Sequence, residues 1–361
     1  MFYLINLLAV PLYYALIRLV IKNKASSLSI FFVVVTIHAI LFRALANPNN
    51  FVDADTYTTA FEYLRYVSFT DAVFSPYSSW GIGFVVLSWL IGKVSSDVVL
   101  LYATIAFLSV GGILLFYKKT TYGLLTSVMM FLLYPMLYYM GFGVLRQHLS
   151  IPFMLFALYY IDNKKISIPL SFISILLHTG SIIFVPFYFI IGFYRKYSLK
   201  TSCFFSIVAI IVLKNAILFV LSFFPRYEAT YLEKEATNNI VPVLLIGVLL
   251  LFIYGSKIGT IIKRTNRRDD NILLFLLYGF FVSILSIGMP AAGRLSLPFV
   301  YLLPVAMTYL FRYKRKSVDY YQLYLVVFLT ITLWQYYLKY EAGLLSLYTY
   351  SFYWETPLLN N

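Results

Sequence analysis

Apolar runs close to the ~20 residues that a helix needs to cross a hydrocarbon core recur along almost the whole chain. With 61% hydrophobic and only 12% charged residues, 361 residues folding in water could not cover that much apolar surface. The runs also lack the short-period alternation of a membrane β-barrel. In hydrocarbon every backbone N–H and C=O must find a partner within its own segment, which leaves helices. The chain is therefore expected to be all-α and polytopic, one integral membrane domain over residues 1–361.

The net charge of +14 raises the possibility of a nucleic-acid partner. The basic residues, however, fall in short clusters between apolar runs, a pattern that orients a membrane protein and gives no nucleic-acid patch. Six clusters hold 18 of the 28: Arg18, Lys22 and Lys24; Lys118 and Lys119; Lys164 and Lys165; Arg195, Lys196 and Lys200; Lys263, Arg264, Arg267 and Arg268; Arg312, Lys314, Arg315 and Lys316. The positive-inside bias puts all six on the cytoplasmic side, so each stretch between clusters crosses an even number of times. Twelve crossings result, with both termini outside; they include Leu28–Ala46, Val98–Tyr117, Tyr122–Met140, Val144–Ile161 and Val241–Thr260. Residues 47–79 become a large extracytoplasmic loop and 224–240 a second. The segment from Met1 reads as the first span, having no basic residue before its apolar core. The lone Cys203 excludes an intramolecular disulfide.

Two segments break the pattern. Trp80–Val94 is short for a crossing and opens with Gly81 and Gly83, so it reads as re-entrant from outside. Ile166–Tyr194 is too long for one crossing and holds Pro169, Pro186 and the sequence His178-Thr179-Gly180, so it reads as two short helices turning at His178. Broken helices at membrane depth are tolerated where they line a cavity.

This topology collects the unusual polar residues on the outer face. The outer loop carries Asp53, Asp55, Glu62 and Asp71 against Arg65 alone. Arg146 and Gln147 open a helix at its outer end, His178 sits at an outer turn, and Arg294 opens another helix from a Pro/Gly-rich turn. Arg43 lies on the helix that leads into the acidic loop. Arginine forks match phosphate oxygens and keep their charge, while a carboxylate or neutral imidazole takes a proton from an attacking hydroxyl. Together they suit displacement at a carbon whose leaving group is a phosphate. Three scattered histidines and one cysteine give no zinc spacing, and neither a P-loop nor G-x-S-x-G occurs. No cofactor or metal is expected. A transporter or flippase of an anionic lipid-linked sugar, and a ligase, are the alternative readings of the same residues.

The order of these motifs resembles the EpsG branch of the Wzy-type polysaccharide polymerases. It comprises D-x-D-x-Y (Asp53, Asp55, Tyr57), Gly81 and Gly83, Arg146-Gln147, His178, Arg294 and YSFYWE from Tyr350 to Glu355. Relatives in that family tend to carry an acid ahead of the glycine segment, where this chain reads SSWGIG. The resemblance implies a GT-C-type glycosyltransferase of the bacterial inner membrane. Its donor and acceptor would be undecaprenyl-pyrophosphate-linked oligosaccharides, its active site would face outward, and a chain-length regulator would be a possible partner. For such a transfer the residues themselves are expected to put Arg146 and Arg294 on the pyrophosphate and His178 or Asp55 at the acceptor proton, with Asp53, Tyr57, Gln147, Arg43 and Arg65 binding substrate. A histidine's ordinary pKa near 6.5 favours His178 as the base.

Overall fold

A computed structural model of the chain describes residues 2–47, 53–221, 240–285, 287, 295–313 and 319–341. Among these residues the regular elements are all helices. In chain order the first half holds α1 (Phe2–Val20), α2 (Lys24–Ala44), α3 (Ala54–Tyr66), α4 (Phe69–Val73), α5 (Ile82–Val94), α6 (Val98–Thr120), α7 (Leu124–Leu133), α8 (Met140–Gly143), α9 (Leu145–Tyr159) and α10 (Lys164–Leu177). Short 3-10 turns cover Pro76–Trp80 and Thr179–Phe184. The second half holds α11 (Val185–Lys196), α12 (Leu199–Leu221), α13 (Ile240–Gly255), α14 (Ile258–Thr265), α15 (Arg267–Leu285), α16 (Leu297–Val300), α17 (Leu303–Arg312) and α18 (Tyr320–Glu341). Where one domain is expected, the chain forms two compact units: Met1–Ser181 with Thr332–Asn361, and Ile182–Ile331.

By length and apolar content α2 and α6 can each cross a bilayer, and α13 with α14 makes a third if the bent pair is one span. Two of the other segments expected as spans are shorter or broken. Tyr122–Met140 keeps only α7, which ends at Leu133; the residue before Pro135 is biased away from helical backbone. Val241–Thr260 is not continuous: Lys257 adopts φ 64 and the chain bends by 77° between α13 and α14. Beyond the bend α14 buries Ile258 and Ile262 while Lys263 and Arg264 stay exposed, an amphipathic pattern suited to a membrane interface.

In the first unit the helices alternate in direction. Arg43 of α2 meets Ser109 of α6, and Lys118 of α6 lies over the Phe32 ring of α2, so these two run antiparallel. Phe116 of α6 packs on Phe156 of α9, and Ile105 shares a buried cluster with Leu145 and Leu149, so α6 and α9 run parallel. The hairpin α9–α10 is held by hydroxyls of small residues: Ser167 Oγ donates to the Ala157 carbonyl at 2.6 Å and Ser174 Oγ to the Ser150 carbonyl at 2.9 Å. Small polar residues of this kind let membrane helices approach closely. Arg18 reaches Ser27 across the α1–α2 turn. The three basic clusters of this unit, at 18–24, 118–119 and 164–165, thus share one end, and the start of α6, the start of α9 and the end of α10 share the other.

The segment expected as an outer loop is mostly folded. Tyr57, Phe61 and Leu64, spaced by four and three residues, are the buried stripe of α3. Helix α3 runs parallel to α5, with Tyr57 against Phe84 and Arg65 against Gly92. Because α10 ends and α6 begins at the same end of the unit, α5 is pinned there too: its start abuts Leu176 and residues 95–97 join its close to α6.

The second unit centres on aromatic packing of Phe184, Phe187, Phe275, Tyr278 and Phe299. Lys263 Nζ donates to the Arg195 carbonyl, Arg195 donates to Asn271, and the Tyr313 hydroxyl donates to Asp269. Arg195, Lys263 and the end of α17 at Arg312 thereby lie at one end of that unit.

Candidate active site

At the end of the first unit remote from its basic clusters, Arg146 lies in the first turn of α9 and is half-buried. Its Nη1 donates to the Trp80 carbonyl at 2.8 Å and its Nε to the Tyr57 hydroxyl at 3.4 Å. The guanidinium also sits 4.9 Å from the Trp80 ring centre and 6.0 Å from that of Tyr57. An arginine presents five donors in one plane, and these two hydrogen bonds engage only the Nε and Nη1 side of the fork. Tyr57, 5% exposed, is fixed edge-on against both Trp80 and Phe84, so its hydroxyl is a stable anchor for the arginine.

The loop that supplies Trp80 depends on the next residue. Gly81 has φ 120, and a Cβ there would stand 2.7 Å from the Leu176 carbonyl oxygen and 2.9 Å from that of Leu177. Only glycine takes this backbone without strain. The contact sets the N-terminus of α5 on the C-terminal carbonyls of α10, where their partial charges are complementary. One residue beyond Leu177 comes His178, the half-buried C-cap of α10. Ser181 Oγ donates to Ser150 Oγ at 3.1 Å, tying the turn after His178 onto α9. Carried one turn past the Ser150–Ser174 contact, the antiparallel register puts Arg146 level with His178.

Three helix N-termini converge on Arg146. Those of α3 at Asp53, α5 at Gly81 and α9 at Val144 all lack a side-chain cap. The first N–H groups of a helix have no partner within it, and with the helix dipole they favour an anion. Asp53, with φ 70, and Asp55 stand exposed at the mouth, at the start of α3. A guanidinium, helix N-termini, carboxylates and an imidazole are thus gathered at one end of one unit.

The remaining candidates from the sequence lie elsewhere. Gln147 is buried, and its carbonyl accepts from Ser150. Arg43 is only 4% exposed; it donates to Ser109 Oγ at 3.2 Å and to the Gly141 carbonyl and lies over the Phe142 ring. A Cβ on Gly141 would fall 2.5 Å from His148 Nδ1 and 2.7 Å from Arg43 Nη1, so glycine is what lets these groups close on the backbone just ahead of α9. In this arrangement Arg43 braces the start of the helix that carries Arg146. Arg65 sits ~12 Å along α3 from Tyr57, donating to the Ser96 carbonyl and the Tyr66 hydroxyl, away from the Arg146 cluster. Arg294 and residues 350–355 lie outside the described residues.

Trp80 and Gly141 have no place among the candidates from the sequence. Trp80 adjoins the glycine segment, and that adjacency is the signal that could have marked it. Gly141 meets Arg43 across 98 residues of chain and offers no such signal.

No curated protein and no solved structure matches the chain. The model of the EpsG family matches residues 29–352, nearly the whole of it. The chain belongs to the EpsG family.

Proposed function

We propose that this chain is a polysaccharide polymerase: a multi-pass membrane glycosyltransferase that moves a growing glycan from a polyprenyl pyrophosphate, undecaprenyl pyrophosphate in a bacterium, to a sugar hydroxyl of a lipid-linked repeat unit. Membership of the EpsG family supports a polysaccharide polymerase-like activity. The observation that carries the finer reading is the guanidinium of Arg146, held on the Trp80 carbonyl and the Tyr57 hydroxyl where three uncapped helix N-termini meet. That constellation suits an anion bearing several oxygens, such as a pyrophosphate.

In the proposed step the bond between the anomeric carbon and the pyrophosphate oxygen breaks, and the pyrophosphate leaves with the electron pair. A new glycosidic bond forms from the acceptor hydroxyl, whose proton passes to His178, with Asp55 as the second candidate. Arg146 holds the charge that develops on the leaving oxygen, a role in which one preorganised donor is worth several kcal/mol. Arg294 is proposed as a second grip on the same group. Asp53 and Tyr57 are proposed to bind sugar, and Tyr57 also fixes Arg146.

The site is proposed to face outward, because the basic clusters of its unit gather at the opposite end and basic residues mark the cytoplasmic side. Twelve crossings, a GT-C-type arrangement and residence in the bacterial inner membrane belong to the same reading. The test is purified protein given a lipid-linked oligosaccharide, with products separated by thin-layer chromatography. A ladder of products supports polymerisation; a single transfer to another acceptor would replace it with a ligase, and unchanged lipid with a transporter.

A further inference from the structure

A line of aromatic rings leads away from Arg146. Its guanidinium lies 4.9 Å from the centre of the Trp80 ring, Trp80 meets Tyr77 edge-on at 4.9 Å, and Tyr77 meets Tyr63 of α3 at 5.7 Å. Each step is comparable with the span of one sugar unit. The inner rings are anchored: Tyr77 packs on Leu64, Ala72 and Val85, and Trp80 on the core that contains Tyr57 and Phe84. Tyr63 itself is 42% exposed. We propose that Tyr63, Tyr77 and the exposed face of α3 bind the glycan of the lipid-linked substrate at sugars beyond the bond being made, and that they select uncharged sugars; such a site rests on the function proposed above.

The chemistry of α3 favours that occupant. Asp55, Thr56, Thr59, Glu62, Tyr63 and Tyr66 are all exposed, and at ~100° per residue they share one face of the helix, opposite the buried Tyr57, Phe61 and Leu64. From Asp55 to Glu62 that face rises ~10 Å, so it extends from the mouth of the site toward the Tyr63 ring. A sugar offers an apolar C–H face to an aromatic ring and its hydroxyls to carboxylate acceptors, and this face supplies both. Lipid does not fit it. Exposed carboxylates such as Asp55 and Glu62 are costly in hydrocarbon and repel anionic headgroups. Acidic sugars do not fit either. Asp53, Asp55 and Glu62 stand exposed, while Arg65, the one basic residue of α3, donates to the Ser96 carbonyl and the Tyr66 hydroxyl. The site is thereby divided by charge: Arg146 and the helix N-termini suit the pyrophosphate, and the acidic, aromatic face of α3 suits uncharged sugars.

The experiment uses full-length protein in phosphatidylcholine nanodiscs, with binding read by saturation-transfer NMR. The probes are free tetrasaccharides: maltotetraose and chitotetraose, which are neutral, and tetragalacturonate, which is acidic. Binding of at least one neutral probe is expected, and none of the acidic one. Tyr63→Ala lowers the affinity about tenfold, as loss of an aromatic anchor does, whereas Tyr63→Phe keeps the ring and the affinity. Glu62→Lys weakens the neutral probe and admits tetragalacturonate. Tyr63 and Glu62 are exposed, so these variants leave the core intact. Failure of both neutral probes to bind, equal binding of the acidic one, or full affinity in Tyr63→Ala overturns the proposal. A nitroxide on Tyr63→Cys in a Cys203→Ser background should be reached by a water-soluble nickel complex; one reached only by oxygen from the bilayer assigns this face to lipid and also overturns it. The two readings separate cleanly. A protein that forms a product ladder but binds no sugar at Tyr63 loses this site and keeps the polymerase, and one that binds here but forms no ladder does the reverse.

Discussion

The Arg146 guanidinium donates to the Trp80 carbonyl at 2.8 Å, and the residue after Trp80 is a glycine whose missing side chain would strike the last carbonyls of α10. One short turn therefore links the start of α9 to the end of α10, and through them Arg146 to His178. Loosening that turn should disturb both groups at once.

Gly81→Ala should cost stability by about 1–3 kcal/mol, because φ 120 is strained for alanine and the new Cβ meets backbone rather than a movable side chain. Gly192→Ala, in open space within α11, should be neutral or slightly stabilising. Thermal unfolding of the two purified variants in one detergent checks the contrast.

Arg43 and Gly141 should behave as positioning residues. Gly141→Ala forces His148 and Arg43 apart inside a packed interior, at about 1–3 kcal/mol. Arg43→Lys keeps the charge and loses the two-way donation to Ser109 and Gly141. Both should slow glycan transfer while leaving the KM for the acceptor close to wild type. A variant with unchanged turnover would remove the brace from the account.

Replacing His178 with Gln should lower transfer by about 10²–10⁴-fold if its imidazole receives the acceptor proton. Asp55→Asn should cost less, since Asp55 is exposed at the start of α3. Initial rates with a fixed donor and acceptor decide between them; the reverse ranking would move the base to the carboxylate.

The lone cysteine makes sidedness measurable. In a Cys203→Ser background, Ser79→Cys should react with a membrane-impermeant maleimide on intact cells, whereas Lys164→Cys should react only after permeabilisation. Both positions are exposed, so access depends on side and not on burial.

Length, apolar runs and charge clusters made the helical architecture legible, and the break at His178 and the short helix after Gly81 were readable from their own glycines and prolines. The fold of residues 54–73 was harder to see. Its acidic residues read as a solvated loop, although Tyr57, Phe61 and Leu64 already carried a helical stripe. The bend at Lys257 was missed, although Gly255-Ser256 directly ahead of it is a helix-breaking pair. Trp80 was missed for a different reason. Its part in the site is a backbone carbonyl, which every residue possesses, so only the turn that aims it at Arg146 distinguishes it. Arg43 was legible as an unusual charge, but its partners, 66 and 98 residues away, were not.

The most direct test is the product ladder formed by purified Arg146→Lys beside wild type, with a lipid-linked repeat unit as donor and acceptor. Lysine keeps the charge but not the planar fork, so transfer should fall by about 10²–10³-fold and the ladder should collapse to single repeat units. A full ladder from a folded Arg146→Lys protein would contradict the claim that this guanidinium holds the leaving pyrophosphate.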